Sequence, residues 1–350
     1  MIMNNLFKFI LSVSLFILIP GLTSCDDSFI FEKEGNCDMK VKFVFEKHRQ
    51  ALQTIDGIGP DAFAKTVKSV HLFILDSRTG ELVFEKAESS DNLIDRNTMP
   101  VELNPGTYTF IAWCGFDSND ENNAFELSHD YTRGEGDNCH IKMVSENEPF
   151  CQDKYDAVYQ GIVYDVIITE KNMGGTIIVP VIKDTNDISV WIQHPDITFE
   201  EGDYNVVYED SNGVLDFETN VVTSEDQKLA YRPYSSSILS VDSEYNGDNM
   251  QAGAMIAHLS TSRLLASHIG EARLKIIDKE GNEVFAIPFI KYLLEMQTFT
   301  NGREKDDQWY LDCEDTYFCS FYLIGDQGTW SAYRIIINNW VKVPDQVEEF

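Results

Sequence analysis

Short apolar runs of strand length, separated by turns rich in glycine, asparagine and aspartate, recur along this chain from residue 39 to residue 337. In the first of them Met39, Val41, Phe43 and Phe45 alternate with Lys40, Lys42 and Glu46, the period-two pattern of a strand with one face buried. Val70-His-Leu-Phe-Ile-Leu75 is apolar along most of its length and reads as a strand buried on both faces. Asp76-Ser-Arg-Thr-Gly80 then turns it back into Glu81-Leu-Val-Phe-Glu85, a hairpin signal. Asn104-Pro105-Gly106 is a strong turn that launches Thr107-Tyr-Thr-Phe-Ile-Ala-Trp113. Beyond Gly174-Gly175, strand-like stretches follow at 176–182, 187–192, 204–208, 273–277, 284–287, 309–312, 317–324 and 333–337. Residues 61–68 suit a short helix, and 115–150, rich in Asp, Asn, Glu and Gly, suit surface loops. Many short strands with little helix imply an all-β fold built as β-sandwiches. The boundary is expected near residue 183, giving units at 37–183 and 184–350.

The N-terminus carries a different signal. After Lys8 comes an apolar run, residues 9–19, and then Pro20-Gly21. That run is shorter than the roughly 20 residues a bilayer span needs, but suits the core of a signal peptide. Leu22-Thr23-Ser24-Cys25 resembles the lipobox of bacterial lipoproteins, so residues 1–24 are expected to be removed and Cys25 to carry covalent N-acyl and S-diacylglycerol lipid. Residues 25–36 then form a lipidated tether. Asp26 and Asp27 resemble a surface-export signal, which points to an outer-membrane lipoprotein facing the cell surface. No cofactor is expected beyond the lipid.

With Lys+Arg 27 against Asp+Glu 58, the formal net charge is −31, which repels nucleic acid and anionic lipid. Cys37, Cys114, Cys139, Cys151, Cys313 and Cys319 make an even set in an exported chain and are candidates for disulfides of unknown pairing. Cys139 with Cys151, and Cys313 with Cys319, are near enough in sequence to be local bridges. The second pair requires a turn near residues 314–316, because one straight strand would hold its ends too far apart. No Cys-x-x-Cys, His-Glu-x-x-His, Gly-x-Ser-x-Gly or Lys-bearing phosphate loop occurs, so no enzyme chemistry and no metal centre is expected. The seven histidines are dispersed and read as surface or satisfied side chains. Residues 117–123 offer oxygen ligands but lack the spacing of a calcium loop. Of Trp113, Trp191, Trp309, Trp330 and Trp340, three lie inside strand-like stretches, where core packing outweighs a sugar-binding platform.

An ordered set of stretches resembles the FimB/Mfa-type fimbrial anchor lipoproteins of Bacteroidota. These are Cys37 before Val41-Lys-Phe-Val-Phe45, Ala62-Phe63, Val70-His-Leu-Phe-Ile-Leu-Asp76 with Gly80, and Leu103-Asn-Pro-Gly-Thr-Tyr-Thr-Phe-Ile-Ala-Trp113. Towards the end, Tyr310-Leu-Asp312 with Glu314 and Tyr317, then Phe321-Tyr-Leu323 and Ile335-Ile-Ile-Asn-Asn-Trp340 resemble the family's last strands. Cys114, Cys313 and Cys319 depart from its pattern and are alternatively buried free thiols. The resemblance implies two tandem transthyretin-like Greek-key sandwiches. It also implies a structural protein that anchors or terminates a pilus at the outer membrane, with fimbrillin subunits as partners held by strand complementation. Because the first Arg after Cys25 is Arg49, the strand at 39–46 is expected to stay joined to the lipid. Residues 335–343 are either a strand donated to a neighbouring fimbrillin or an ordinary edge strand. The competing roles are a surface glycan-binding lipoprotein and a tip adhesin of the same pilus system.

Overall fold

The computed structural model describes residues 38–47, 62–115, 124–127, 139–141, 150–195, 198–217, 228–245, 248–295, 306–325, 330–338 and 340–342. In chain order the first strands are β1 (Met39–Phe45), β2 (Ser69–Asp76), β3 (Leu82–Ser89), β4 (Thr98–Val101) and β5 (Gly106–Cys114). Three short ones follow, β6 (Phe125–Leu127), β7 (Cys139–Ile141) and β8 (Phe150–Cys151), then β9 (Tyr159–Ile168) and β10 (Thr176–Lys183). The second half begins with β11 (Thr185–His194), β12 (Tyr204–Asp210), β13 (Val214–Leu215), β14 (Leu229–Tyr231), β15 (Ser235–Tyr245) and β16 (Asp248–Ser262). It ends with β17 (Arg273–Asp278), β18 (Glu283–Pro288), β19 (Thr316–Ile324), β20 (Ser331–Ile337) and β21 (Trp340–Lys342). The α-helices among the described residues are α1 (Ala62–Thr66), α2 (Phe289–Glu295) and α3 (Asp307–Cys313).

The chain is thus a mostly β, multi-sheet sandwich. Its first body is a seven-stranded sheet in the order β3-β2-β5-β9-β10-β1-β4 that folds over on itself. β10 makes the fold-over, pairing with β9 only at Ile182 and Lys183 and with β1, in parallel, from Thr176 to Val181. Gly161 sits at this crossing, where an added Cβ would lie 2.3 Å from the carbonyl oxygen of Pro180. Val41, Phe43, Leu72, Ile74, Phe110, Val179 and Val181 fill one shared core, joining strands from both arms of the folded sheet. Each fully buried side chain of this size contributes roughly 1.5–3 kcal/mol of transfer free energy. The turn before β5 has a local lock: Tyr108 Oη donates to the Asn104 carbonyl at 3.0 Å. Gly106 makes it possible, since a Cβ there would stand 2.7 Å from that hydroxyl.

The second body stacks a six-stranded sheet, β15-β16-β11-β19-β20-β21, on a five-stranded one, β18-β17-β12-β14-β8. Ile188, Val190 and Ile192 of β11 and Phe321 and Leu323 of β19 meet Val206, Tyr208, Leu274 and Ile276 in its core. Phe285 of β18 and Phe321 lie edge to face with centroids 5.5 Å apart. The two bodies are not separate. Phe73, Leu75, Ile111 and Trp113, on the other face of β2 and β5, belong to this second core. β8 pairs in parallel with β14, and β7 pairs with β13, so strands from 139–151 complete sheets of the second half.

Two sequence expectations need correction. Residues 309–312 lie in α3 and not in a strand: the Asp306 carboxylate accepts from Trp309 N–H at 2.7 Å and caps the helix. Four residues are too few to separate a period of two from one of 3.6. Within 115–150, expected as loop, the structure has β6, β7 and β8. Their two- and three-residue lengths leave no alternation to read.

Candidate functional site

Alternation along the six-stranded sheet decides what it shows to solvent. With Ile188, Val190 and Ile192 pointing into the core, Ser189, Trp191 and Gln193 point outward from β11. The inter-strand register then sets three rows across the outer face. One runs Ser235, His258, Ser189, Phe318; the next Ser237, Ile256, Trp191, Ser320, Ile336; the third Leu239, Ala254, Gln193, Tyr322, Arg334. Trp191 and Phe318 meet edge to face with centroids 5.4 Å apart. Arg334 lies over the ring of Tyr322 at 5.3 Å, and His258 Nδ1 is 2.8 Å from Ser189 Oγ. Phe318 and Ile324 are each 39% exposed and Leu239 44%. Phe318 and Tyr322, four residues apart on β19, stand roughly 13 Å from each other, with Trp191 between them on the neighbouring strand.

No acidic side chain occurs in these rows, although Asp and Glu make up 58 of the 350 residues. The outer face of the five-stranded sheet is the natural comparison. There Lys275 pairs with Glu209 at 2.9 Å and Glu283 at 3.4 Å, and Lys228 with Glu209 at 3.2 Å. A shallow open cavity of about 480 Å³ lies among Lys228, Glu271, Arg273 and Lys275. That face is a solvated ion-pair network. These three rows of the six-stranded face carry instead aromatic and aliphatic groups among hydroxyls, an amide and one guanidinium, and the carboxylate of Asp187, which accepts from Ser260, lies in the next row. Exposed apolar patches with polar rims mark interaction sites.

The residues singled out from sequence fall as follows. Cys25, Asp26, Asp27 and Cys37 lie outside the described residues, as do residues 117–123. Cys139 lies in β7. Cys114, Cys151, Cys313 and Cys319 are buried, and none of them is in a disulfide. Burial alone pushes the Cys114 and Cys319 thiols far above the usual range, and Cys151 rises to about 11. Only Glu314 and Asp315 separate the end of α3 at Cys313 from β19, Cys319 points into the core three residues into that strand, and the two do not bond. Trp113 is buried, in line with core packing, and so is Trp330, which lies outside the strand-like stretches. Trp191 corrects that expectation, because its strand turns it to the outer face. Phe318, Tyr322 and Arg334 escaped sequence reading. The signal for them lay in the out-facing parity of β19 once Phe321 and Leu323 are placed inside. Besides His258, three histidines have partners: His71 meets Glu85 at 3.2 Å, His194 the Gly325 carbonyl at 3.1 Å and His268 Asp210 at 2.5 Å.

Residues 33–345 match the family described as fimbrillin-A associated anchor proteins Mfa1 and Mfa2. No curated protein matches the chain. Among solved structures, the chain is similar to a candidate polysaccharide-binding protein from Bacteroides thetaiotaomicron, at 23% identity and TM-score 0.67, covering 88% of this chain and 98% of that one. It is also similar to a candidate adhesin from Bacteroides ovatus, at 21% identity and TM-score 0.68, covering 89% and 96%. The fimbrial anchor protein Mfa2 from Porphyromonas gingivalis is similar at 16% identity and TM-score 0.61, covering 87% and 98%. These likenesses carry the fold. The chain is non-catalytic, in keeping with the family it matches, and among the described residues no group of three His, Cys, Asp or Glu is placed to hold a metal ion.

Proposed function

We propose a role for this chain from one premise: it belongs to the family of fimbrillin-A associated anchor proteins Mfa1 and Mfa2. It serves as a non-catalytic adhesion subunit of a fimbria-type surface structure. Lipid on Cys25 holds it to the outer membrane, and the two bodies correspond to the transthyretin-like Greek-key sandwiches implied by the sequence resemblance. It binds its target through the outer face of the six-stranded sheet, and that target is a polysaccharide. The observation that carries this reading is the aromatic patch of Trp191, Phe318 and Tyr322, whose three rows hold no acidic side chain on a chain of net charge −31. Aromatic rings accept the C–H faces of sugar rings, while Ser, Gln and Arg side chains take their hydroxyls. Names given to similar solved proteins, one for polysaccharide binding and another for adhesion, run the same way.

A second reading keeps the chain at the base of the fimbria as its anchor, contacting a fimbrillin by strand complementation. The family description favours it, and so does the position of β21, the terminal edge strand of the six-stranded sheet. Deleting the gene separates the two. An adhesion subunit leaves fimbriae attached to cells that no longer bind their target; an anchor sheds fimbriae into the medium. Shedding with target binding intact overturns the adhesion reading.

A further inference from the structure

Where the chain passes from β10 of the first body to β11 of the second, a single residue, Asp184, separates the two strands. Its backbone N–H is pinned to the Val158 carbonyl at 2.8 Å. Charges converge on it from several elements. Arg263, just past β16, grips Asp312 of α3 through Nε at 2.9 Å and Nη2 at 2.7 Å. Gln308 and Lys47 also reach Asp312, at 2.9 and 3.4 Å, and Lys183 is paired with Asp315 at 2.8 Å. Asp184 makes none of these hydrogen bonds and meets Arg263 only at the outer limit of an ion pair. It is 1% exposed, neither carboxyl oxygen has a hydrogen-bond partner, and Arg263 Nε stands 4.0 Å away, committed to Asp312.

A buried carboxylate without a hydrogen bond is costly, whereas its neutral acid costs far less. Burial accordingly raises the Asp184 carboxyl to about 7; Arg263 opposes the rise and Asp312 adds to it.

We infer that Asp184 is a pH-sensitive latch at the junction of the two bodies. As a neutral acid it leaves the Arg263–Asp312 pair closed. As an anion it repels Asp312, competes for Arg263 and draws water into the junction. This is independent of the proposed adhesion role and belongs to the packing of the chain.

The sign follows from proton linkage. Between the ordinary carboxyl value of 3.8 and about 7 the folded protein binds more protons than the unfolded chain. Stability from this group is therefore greatest at acid pH and falls as pH rises towards neutrality. His268, held by Asp210 and also facing Glu271, drifts in the same direction, so the test is the difference between two proteins.

The experiment takes the full-length protein in detergent, wild type beside Asp184→Asn, and follows Tm and amide hydrogen exchange from pH 5 to 8. The wild type is expected to lose exchange protection at Thr185 and Asn186 by about tenfold per pH unit between 5 and 7, after correction for intrinsic rates. The Asn variant, keeping only the His268 drift, changes less and overtakes the wild type in Tm at pH 8. Parallel Tm profiles overturn the latch. Should the variant not fold, wild-type protection factors that stay constant across this range overturn it as well.

Discussion

The Tyr108 hydroxyl explains at the residue scale why the Pro105-Gly106 turn and the strand after it come as one motif. Its bond to the Asn104 carbonyl closes the corner, and Gly106 clears the space. Tyr108→Phe should cost about 1 kcal/mol in urea unfolding, the net worth of one neutral hydrogen bond. Gly106→Ala should cost more, because the ring must move to admit a Cβ. His268 is a second such residue. Its bond to buried Asp210, which also accepts from Tyr208 Oη at 2.7 Å, raises its pKa above the ordinary 6.5. A raised histidine contributes stability that is fully present below 6.5 and lost as pH climbs through its folded value. His268→Gln should therefore narrow the stability difference between pH 6 and pH 8, read from paired denaturation curves. The buried thiols make a third prediction. Peptides carrying Cys114 and Cys319 should resist alkylation in the folded protein at pH 8 and react once it is unfolded, as mass mapping will report.

Elements were legible in the sequence where they are long and one-sided. β1 shows its alternation, β2 its continuous apolar run, and the β2–β3 turn its Asp76-Ser-Arg-Thr-Gly80 signal, held in the structure by the Asp76 carboxylate accepting from Arg78 and Thr79 N–H. α3 was misread because four residues fit either period, and its cap, Asp306, lies outside the stretch that looked strand-like. The β15–β16 hairpin went unread. Its strands carry small and polar residues such as Ser235, Ser237 and Ala254, so hydrophobicity does not alternate strongly along them. The parallel pairings β14–β8 and β11–β19 join residues far apart in sequence and leave no local trace. β1 is an interior strand of its sheet, flanked by β10 and the edge strand β4, with Val41 and Phe43 fully buried. Truncation to residue 47 should thus unfold the first body and abolish its cooperative transition. Loss of β21, an edge strand, should leave the transition in place with lowered Tm.

Across the whole molecule, the sequence announces an all-β chain but hides how its bodies share parts. The outer faces of the second body differ in kind, one laced with ion pairs around Lys275 and the other holding Trp191, Phe318 and Tyr322 without an acidic neighbour in its central rows. No sequence window reveals this, since each strand contributes only two or three out-facing residues and the patch exists only once register is fixed. Binding by stacked rings and neutral hydrogen bonds should also change little between low and physiological salt, unlike binding steered by charge. The most direct measurement is a binding isotherm of the full-length protein in detergent against a panel of neutral and acidic polysaccharides, wild type beside Trp191→Ala and Phe318→Ala. The account predicts saturable binding to at least one polysaccharide, weakened about tenfold in each variant, the equivalent of about 1.4 kcal/mol, with Tm nearly unchanged. Equal binding by all three proteins, or none by the wild type, would contradict it.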